Sequence, residues 1–158
     1  MRRTLAVAEM MSINPIKCRL EDNIVTVSKL MKKYNISSIV VCDENEVKGL
    51  ITVDDIVQRV VANNENLETT KAKQVMTTDV VSVSPTKSVE EVIEVMNSNS
   101  ISQLPVMQEK KLMGFVTMKD ILRLEPALFD LFTKRLEDDE AERRRFIQKH
   151  TNVSSDDI

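Results

Sequence analysis

Glycine is almost absent: the chain of 158 residues holds two, Gly49 and Gly114. Tryptophan is missing and aromatic residues make up 3% of the chain. The core therefore has to be built from Val, Ile, Leu and nine Met. So few glycines also leave no P-loop. No apolar run approaches the ~20 residues that cross a bilayer, which argues against a membrane partner. The start, MRRTLAVAEMM, opens with basic residues as a signal peptide does, but its apolar stretch stops at Glu9. That is too short for a signal core, so a cytoplasmic location is expected. A net charge of −3 is too mild to point to nucleic acid or an anionic surface. Cys18 and Cys42 have neither CxxC spacing nor a nearby His, and read as small buried hydrophobes without a disulfide. His150 is the sole histidine, and one ligand cannot make a four-coordinate zinc site, so no metal is expected.

What is present is a repeat. With the chain laid against itself at an offset of 65, residues 11–57 pair with 76–122 without a gap. Identical pairs include Met11/Met76, Met31/Met96, Ile36/Ile101, Ser37/Ser102, Val41/Val106, Glu44/Glu109, Gly49/Gly114, Thr52/Thr117, Asp55/Asp120 and Ile56/Ile121. Average residue usage gives about three by chance. Each copy ends in one phrase: glycine, two apolar residues, threonine, two variable positions, aspartate. It reads GLITVDD at 49–55 and GFVTMKD at 114–120. The duplication governs the fold.

Both copies show the same order of patterns. Ile16 to Leu20 and Val80 to Val83 are short strand-like runs. Ile24, Val27, Leu30, Met31 and Tyr34 recur at helical spacing, as do Val89, Val92, Ile93 and Met96. Ser88 and Glu91 have the spacing of a capping box. An apolar run follows (38–42, 104–107), then a polar turn (43–46, 108–111), the glycine phrase, and a second helix (54–62, 119–125). The expected fold is α/β (α+β): two β-α-β-β-α units related by a pseudo-twofold axis, followed by a C-terminal helix. The units span 1–62 and 72–125, with a polar linker at 63–71. A unit of about 50 residues buries too little surface to stand comfortably alone, so the two should pair.

Thr followed three residues later by Asp is open to two readings. One is a helix-capping box. The other is a ligand site, because a carboxylate accepts two hydrogen bonds from a cis-diol and a helix start offers N–H groups to phosphate. The two spaced copies, with the lead-ins AEMM (8–11) and QVM (74–76) and LPVM in the second copy, resemble the tandem cystathionine-beta-synthase (CBS) domain pair, or Bateman module, over residues 8–125. The resemblance implies a regulatory module binding an adenosine compound (AMP, ADP, ATP or S-adenosylmethionine) in clefts between the units, with Asp on the ribose and Thr on phosphate. Asp55, Asp120, Thr52 and Thr117 are the implied ligand residues. The family's cross-pairing places Ser12, Ile13 and Ile16 with Thr117 and Asp120, and Thr77, Thr78 and Val81 with Thr52 and Asp55. Lys119 and Arg123 add positive charge at the Asp120 end, while Asp54 adds negative charge beside Asp55. The Asp120 site should therefore take the more phosphorylated ligand, and the Asp55 site should be weak, empty or suited to a less anionic one. The chain departs from the family pattern at Val40, where Pro105 stands in the second copy, and at Ser38 and Gln103, where small residues are common.

After Pro126, a good first-turn residue, Leu128, Leu131, Phe132 and Leu136 form an apolar stripe. EDDEAERRR (137–145) then reads as a solvated helix with Asp139/Arg143 and Glu140/Arg144 pairs. The helix is expected over 126–148 and a loose tail over 149–158. The tail resembles archaeal CBS-pair proteins with a zinc ribbon, but lacks the ribbon's cysteines. A homodimer, an unidentified regulated protein and no catalytic residue complete the expectation. The alternative is an interaction or structural module whose nucleotide sites have decayed.

Overall fold

The computed structural model describes residues 4–149. After a 3-10 turn at Val7–Glu9, the first repeat runs β1 (Lys17–Arg19), α1 (Ile24–Tyr34), β2 (Ser38–Asp43), β3 (Glu46–Thr52) and α2 (Val53–Ile56), which passes into a π turn at Val57–Val61. The second runs α3 (Ala72–Val75), α4 (Val89–Ser98), β4 (Gln103–Gln108), β5 (Lys111–Thr117) and α5 (Met118–Leu124). A 3-10 turn at Pro126–Leu128 leads into α6 (Phe129–Lys149).

The local signals act as written. Asn23 caps α1 by accepting the Thr26 N–H at 2.9 Å, and α1 ends on Asn35 in the left-handed region. Ser88 and Glu91 complete their capping box on α4. Each helix buries one apolar stripe, Ile24, Val27 and Met31 in α1 and Val89, Val92, Ile93 and Met96 in α4.

The sheet has the order β1-β2-β3-β5-β4. β2–β3 and β4–β5 are antiparallel hairpins, with matching register shifts at Val41/Cys42 and Val106/Met107. The halves meet between β3 and β5 at the pair Glu46↔Lys111, two residues related by the repeat offset. The remaining bridges obey the same symmetry: Ser12↔Phe115 mirrors Leu50↔Thr77, and Ala6↔Ser88 mirrors Asn23↔Lys71. Each lead-in therefore joins the opposite repeat. Val7 and Met10 lie in the core formed by Val92, Met96, Leu104, Val116 and Phe132. Ala72 and Val75 lie in the core formed by Val27, Ile39, Ile51 and Val60. The two hydrophobic cores are thus not divided where the sequence repeats are.

Three expectations need correction. Val80–Val83 is not a strand: only Val83 pairs, with Val106. Pro105 stands where β2 has Val40, and without an N–H it cannot extend the parallel ladder. The helix expected over 54–62 gives way to the π turn, in which the Ala62 N–H reaches back to the Val57 carbonyl. In the C-terminal stripe Phe132 is buried and Leu128 packs on the core, whereas Leu131 and Leu136 are exposed because α6 leaves the body of the protein. His150 and the rest of the expected tail beyond Lys149 lie outside the described residues.

Candidate functional site

Both Thr–Asp pairs form the same closed device. The Thr52 N–H and hydroxyl both donate to Asp55 Oδ2, at 2.8 and 3.0 Å, and the Asp55 N–H donates to Thr52 Oγ1 at 3.1 Å. Thr117 and Asp120 repeat this at 3.2, 2.7 and 3.1 Å. The capping reading is thus realised in full at both places. It also leaves Oδ1 of each aspartate outside the cap. That is the oxygen available to an incoming donor.

The cap changes what the helix start can offer. The N–H groups of Thr117 and Asp120 serve the cap, and that of Met118 donates to the Ser102 carbonyl. The threonine hydroxyl hydrogen points at the aspartate. With those three N–H groups engaged, a phosphate at this end would rest largely on side chains, and Lys119 and Arg123 line the cleft.

The two ends differ in what lies against Oδ1. Beside Asp120 is a cleft of about 930 Å³, large enough for a small ligand. The lead-in supplies Ser12 and Ile16, the first repeat supplies Ser37 and Ser38, and the second supplies Thr117, Lys119, Asp120 and Arg123. Asp120 keeps 27% side-chain exposure, and Arg123 donates to its Oδ1 at 3.4 Å from a side chain that is itself 73% exposed. Ser38 is buried at the cleft wall and its hydroxyl has no partner among the described residues. A buried hydroxyl is ordinarily paired, so this unpaired one stands out among the cleft's residues. Gln103 lines the same cleft and donates to Ser37 Oγ at 3.3 Å, tying the repeats together there.

At the other end Arg59 lies against Asp55. Its guanidinium reaches Asp55 Oδ1 at 3.3 Å, Thr77 Oγ1 at 3.2 Å and the Val75 carbonyl at 2.5 Å. Asp55 is reduced to 16% side-chain exposure. Thr77 is therefore brought to the Asp55 end, whereas Thr78 and Val81 are exposed. Ile13 is 74% exposed and lines a separate dent with Lys111 and Met113, because Ser12 pairs with Phe115 and turns the next side chain away.

Sequence reading missed Arg59 altogether. Its spacing of four from Asp55 was the available signal, but that spacing is common on helices. Neither glycine adopts a positive φ, so conformational freedom is not why they are there. A Cβ on Gly49 would stand 2.6 Å from Met76 Sδ, and one on Gly114 would stand 2.5 Å from Met11 Sδ. Each glycine makes room for the lead-in methionine crossing from the other repeat. Among the described residues no group of three or more His, Cys, Asp or Glu is placed to hold a metal. No described helix is long and apolar enough to cross a membrane.

This duplicated, lead-in-swapped arrangement has known counterparts. The CBS domain family model matches residues 7–62 and again 72–126. The chain belongs to the CBS-domain family. An uncharacterised protein of Methanopyrus kandleri is 32% identical over 128 residues, covering 80% of this chain and 65% of its own length. Among the curated relatives, a CBS-domain protein of Bacillus subtilis and a mitochondrial one of Arabidopsis thaliana are matched over 66% and 54% of their length, so this chain spans about two-thirds of such relatives or less. The CBS domain pair of protein MJ0100, solved with 5′-methylthioadenosine and S-adenosyl-L-methionine, superposes with a TM-score of 0.68 at 28% identity, over 76% of this chain and 98% of that one. A hexameric CBS-CP12 protein from bloom-forming cyanobacteria superposes with a TM-score of 0.69 at 26% identity, over 99% of this chain and 90% of that one. The tandem CBS module, a mixed α/β pair followed by a C-terminal helix, is thereby the architecture of this protein.

Proposed function

We propose that this CBS pair is a regulatory module that binds an adenosine compound in the cleft beside Asp120. The observation that carries this reading is the cleft itself, with an outward carboxylate oxygen, an unpaired buried Ser38 hydroxyl and two cations around it. Asp120 Oδ1 accepts from the ribose hydroxyls. Lys119 and Arg123 favour a ligand carrying phosphate over a neutral one, because opposite charges near a protein surface attract with several times their strength in bulk water. S-Adenosylmethionine, found in the MJ0100 pair, is the main competitor. Because the walls come from both repeats, a bound ligand shifts the balance between two relative orientations of them. That shift is the output, delivered to a second copy or to a regulated protein. Exposed Leu131, Leu136, Phe146 and Ile147 on α6 offer apolar surface for a homodimer. No catalytic role is assigned.

Thermal shift with AMP, ADP, ATP and S-adenosylmethionine tests this. A ligand at 100 times its Kd adds about 2.7 kcal/mol, or roughly 5–10 °C for a chain of this size. The Asp120→Ala variant should lose that shift. The second reading, an interaction module with decayed sites, is favoured by the two complete capping boxes. It predicts no shift with any of the four.

A further inference from the structure

The geometry points to Arg59 as a built-in occupant of the Asp55 site: this chain plugs one of its two pseudo-symmetric clefts with its own guanidinium and takes ligand only at the other. The inference rests on the adenosine-site reading above and deepens it, since it fixes how many ligands one chain accepts and why.

The repeat offset makes the argument. Asp55 matches Asp120 and Thr77 matches Ser12, and both Asp120 and Ser12 line the open cleft. Arg59 bridges Asp55 and Thr77, the mirror images of those two lining residues. Its third contact, the Val75 carbonyl, belongs to α3, whose residues pack in the core of the first repeat. The side chain therefore spans from the π turn after α2 to the lead-in across the line where the mirrored cleft would open. The residue matching Arg59 is Leu124, which is 53% exposed and donates nothing. The cation near Asp120 is Arg123 instead, and Gln58 stands at its matching position. Thus the Thr–Asp caps repeat, while the residues after them, in a π turn at one end and an α-helix at the other, decide which end is open.

The chemistry suits the role. A guanidinium presents several donors in a rigid fork, so it can satisfy a carboxylate, a hydroxyl and a carbonyl together. A ribose at this end would need Asp55 Oδ1, which faces a guanidinium anchored at Thr77 and the Val75 carbonyl as well, whereas Arg123, at a similar distance from Asp120 Oδ1, is 73% exposed and has no such second anchor among the described residues. The negative charge of Asp54 beside it further disfavours an anionic ligand that might draw Arg59 away. Where a site is open only a fraction of the time, its apparent Kd rises by the inverse of that fraction. An Arg59 contact holding about 99% of molecules closed weakens the site roughly 100-fold.

Isothermal titration calorimetry with ADP and, separately, with S-adenosylmethionine tests the inference on the full chain. The variants are Arg59→Leu, Arg59→Gln as a polar alternative should the first fold poorly, and each combined with Asp55→Ala or Asp120→Ala. Wild type should bind one molecule per chain, lost on Asp120→Ala and unaffected by Asp55→Ala. Arg59→Leu should bind two, and the added site should vanish with Asp55→Ala. Two equivalents on wild type, or one on both Arg59 variants, overturns the inference while leaving the Asp120 cleft intact. Binding to Arg59→Leu but not to wild type supports the inference and instead refutes the Asp120 cleft as the working site. No binding by any variant overturns both.

Discussion

Replacing Gly114 by alanine should cost more than the same change at Gly49, and the reason lies in the crossing lead-ins. A Cβ at Gly114 would stand 2.5 Å from Met11 Sδ, 2.8 Å from Met11 Cγ and 2.7 Å from the Ser12 carbonyl oxygen. The three atoms nearest a Cβ at Gly49 all belong to Met76, at 2.6 Å from Sδ, 2.8 Å from Cγ and 2.9 Å from Cβ. Added methylenes in a packed interior cost about 1–3 kcal/mol, against ~0.5–1 kcal/mol returned by a stiffer unfolded chain. At Gly49 the thioether can swing away, leaving the Met76 Cβ at 2.9 Å to give by a few tenths of an ångström, so the net cost should be about 1 kcal/mol. At Gly114 the obstacle includes backbone, which is itself bonded to Phe115 through the Ser12 pair. A net loss of about 2 kcal/mol is expected, or roughly 1 M in the urea midpoint for a slope near 2 kcal/mol/M. Double-mutant cycles in urea separate the two cases. Met76→Ala removes the Sδ and Cγ contacts but keeps the Cβ, so it should recover about half or more of the Gly49→Ala cost, a coupling of ~0.5–1 kcal/mol, whereas Met11→Ala leaves the Ser12 carbonyl and should leave most of the Gly114→Ala cost in place. Equal rescue at both sites, or a neutral Gly114→Ala, would refute the account of why glycine stands there.

Other tests follow from single residues. Glu44 and Glu109 adopt positive φ (54° and 58°) at the first position of their two-residue hairpin turns, so Glu44→Gly and Glu109→Gly should each stabilise by up to about 1 kcal/mol in urea titration. Burial pushes the Cys18 thiol up to about 12, with Asp22 adding to the rise, and burial also raises Cys42. Because the folded pKa is raised, this contribution is intact below the unfolded value near 9 and is lost as pH climbs from about 9 to 12; thermal melts across that range should show the decline. Both thiols should resist aromatic disulfide reagents at pH 8 and react at the rate of opening. Ser38→Val should raise the melting temperature of the free protein by removing an unpaired buried hydroxyl, yet abolish the ligand-induced shift.

Much of the fold was legible because the repeat doubled every weak signal. Asn35 and Ser100 both take positive φ at matching positions after their helices, and the strand irregularities at Val41 and Val106 also coincide. Glu46 against Lys111 realises the pseudo-twofold pairing directly. The exchange of lead-ins was harder to read in the cores, since Val7 and Ala72 are equally apolar wherever they pack. The Val80–Val83 run failed for a single missing donor at Pro105, which apolar pattern cannot register. The residues of the Asp120 cleft came largely from the resemblance, and Ile13 faces away from that cleft because its neighbour Ser12 bridges to Phe115. Arg59 escaped notice because an arginine four residues after an aspartate says nothing by itself about the lead-in that it also touches.

The exchange of lead-ins has a mechanical consequence for the proposed switch. The two halves share one strand pair near Glu46 and Lys111, which by itself is a narrow hinge. Each half also holds a buried anchor from the other, Val7 and Met10 in one core and Ala72 and Val75 in the other. Relative rotation therefore cannot separate the halves without pulling apolar side chains from a core, and such burial is worth ~1.5–3 kcal/mol per side chain. Only small reorientations keep both anchors seated. A ligand touching Ser12, Ser38 and Asp120 contacts a lead-in, the first repeat and the second at once. It can thus select among those small reorientations with a few contacts, while Arg59 and Gln103 fix the neighbouring positions around which they occur.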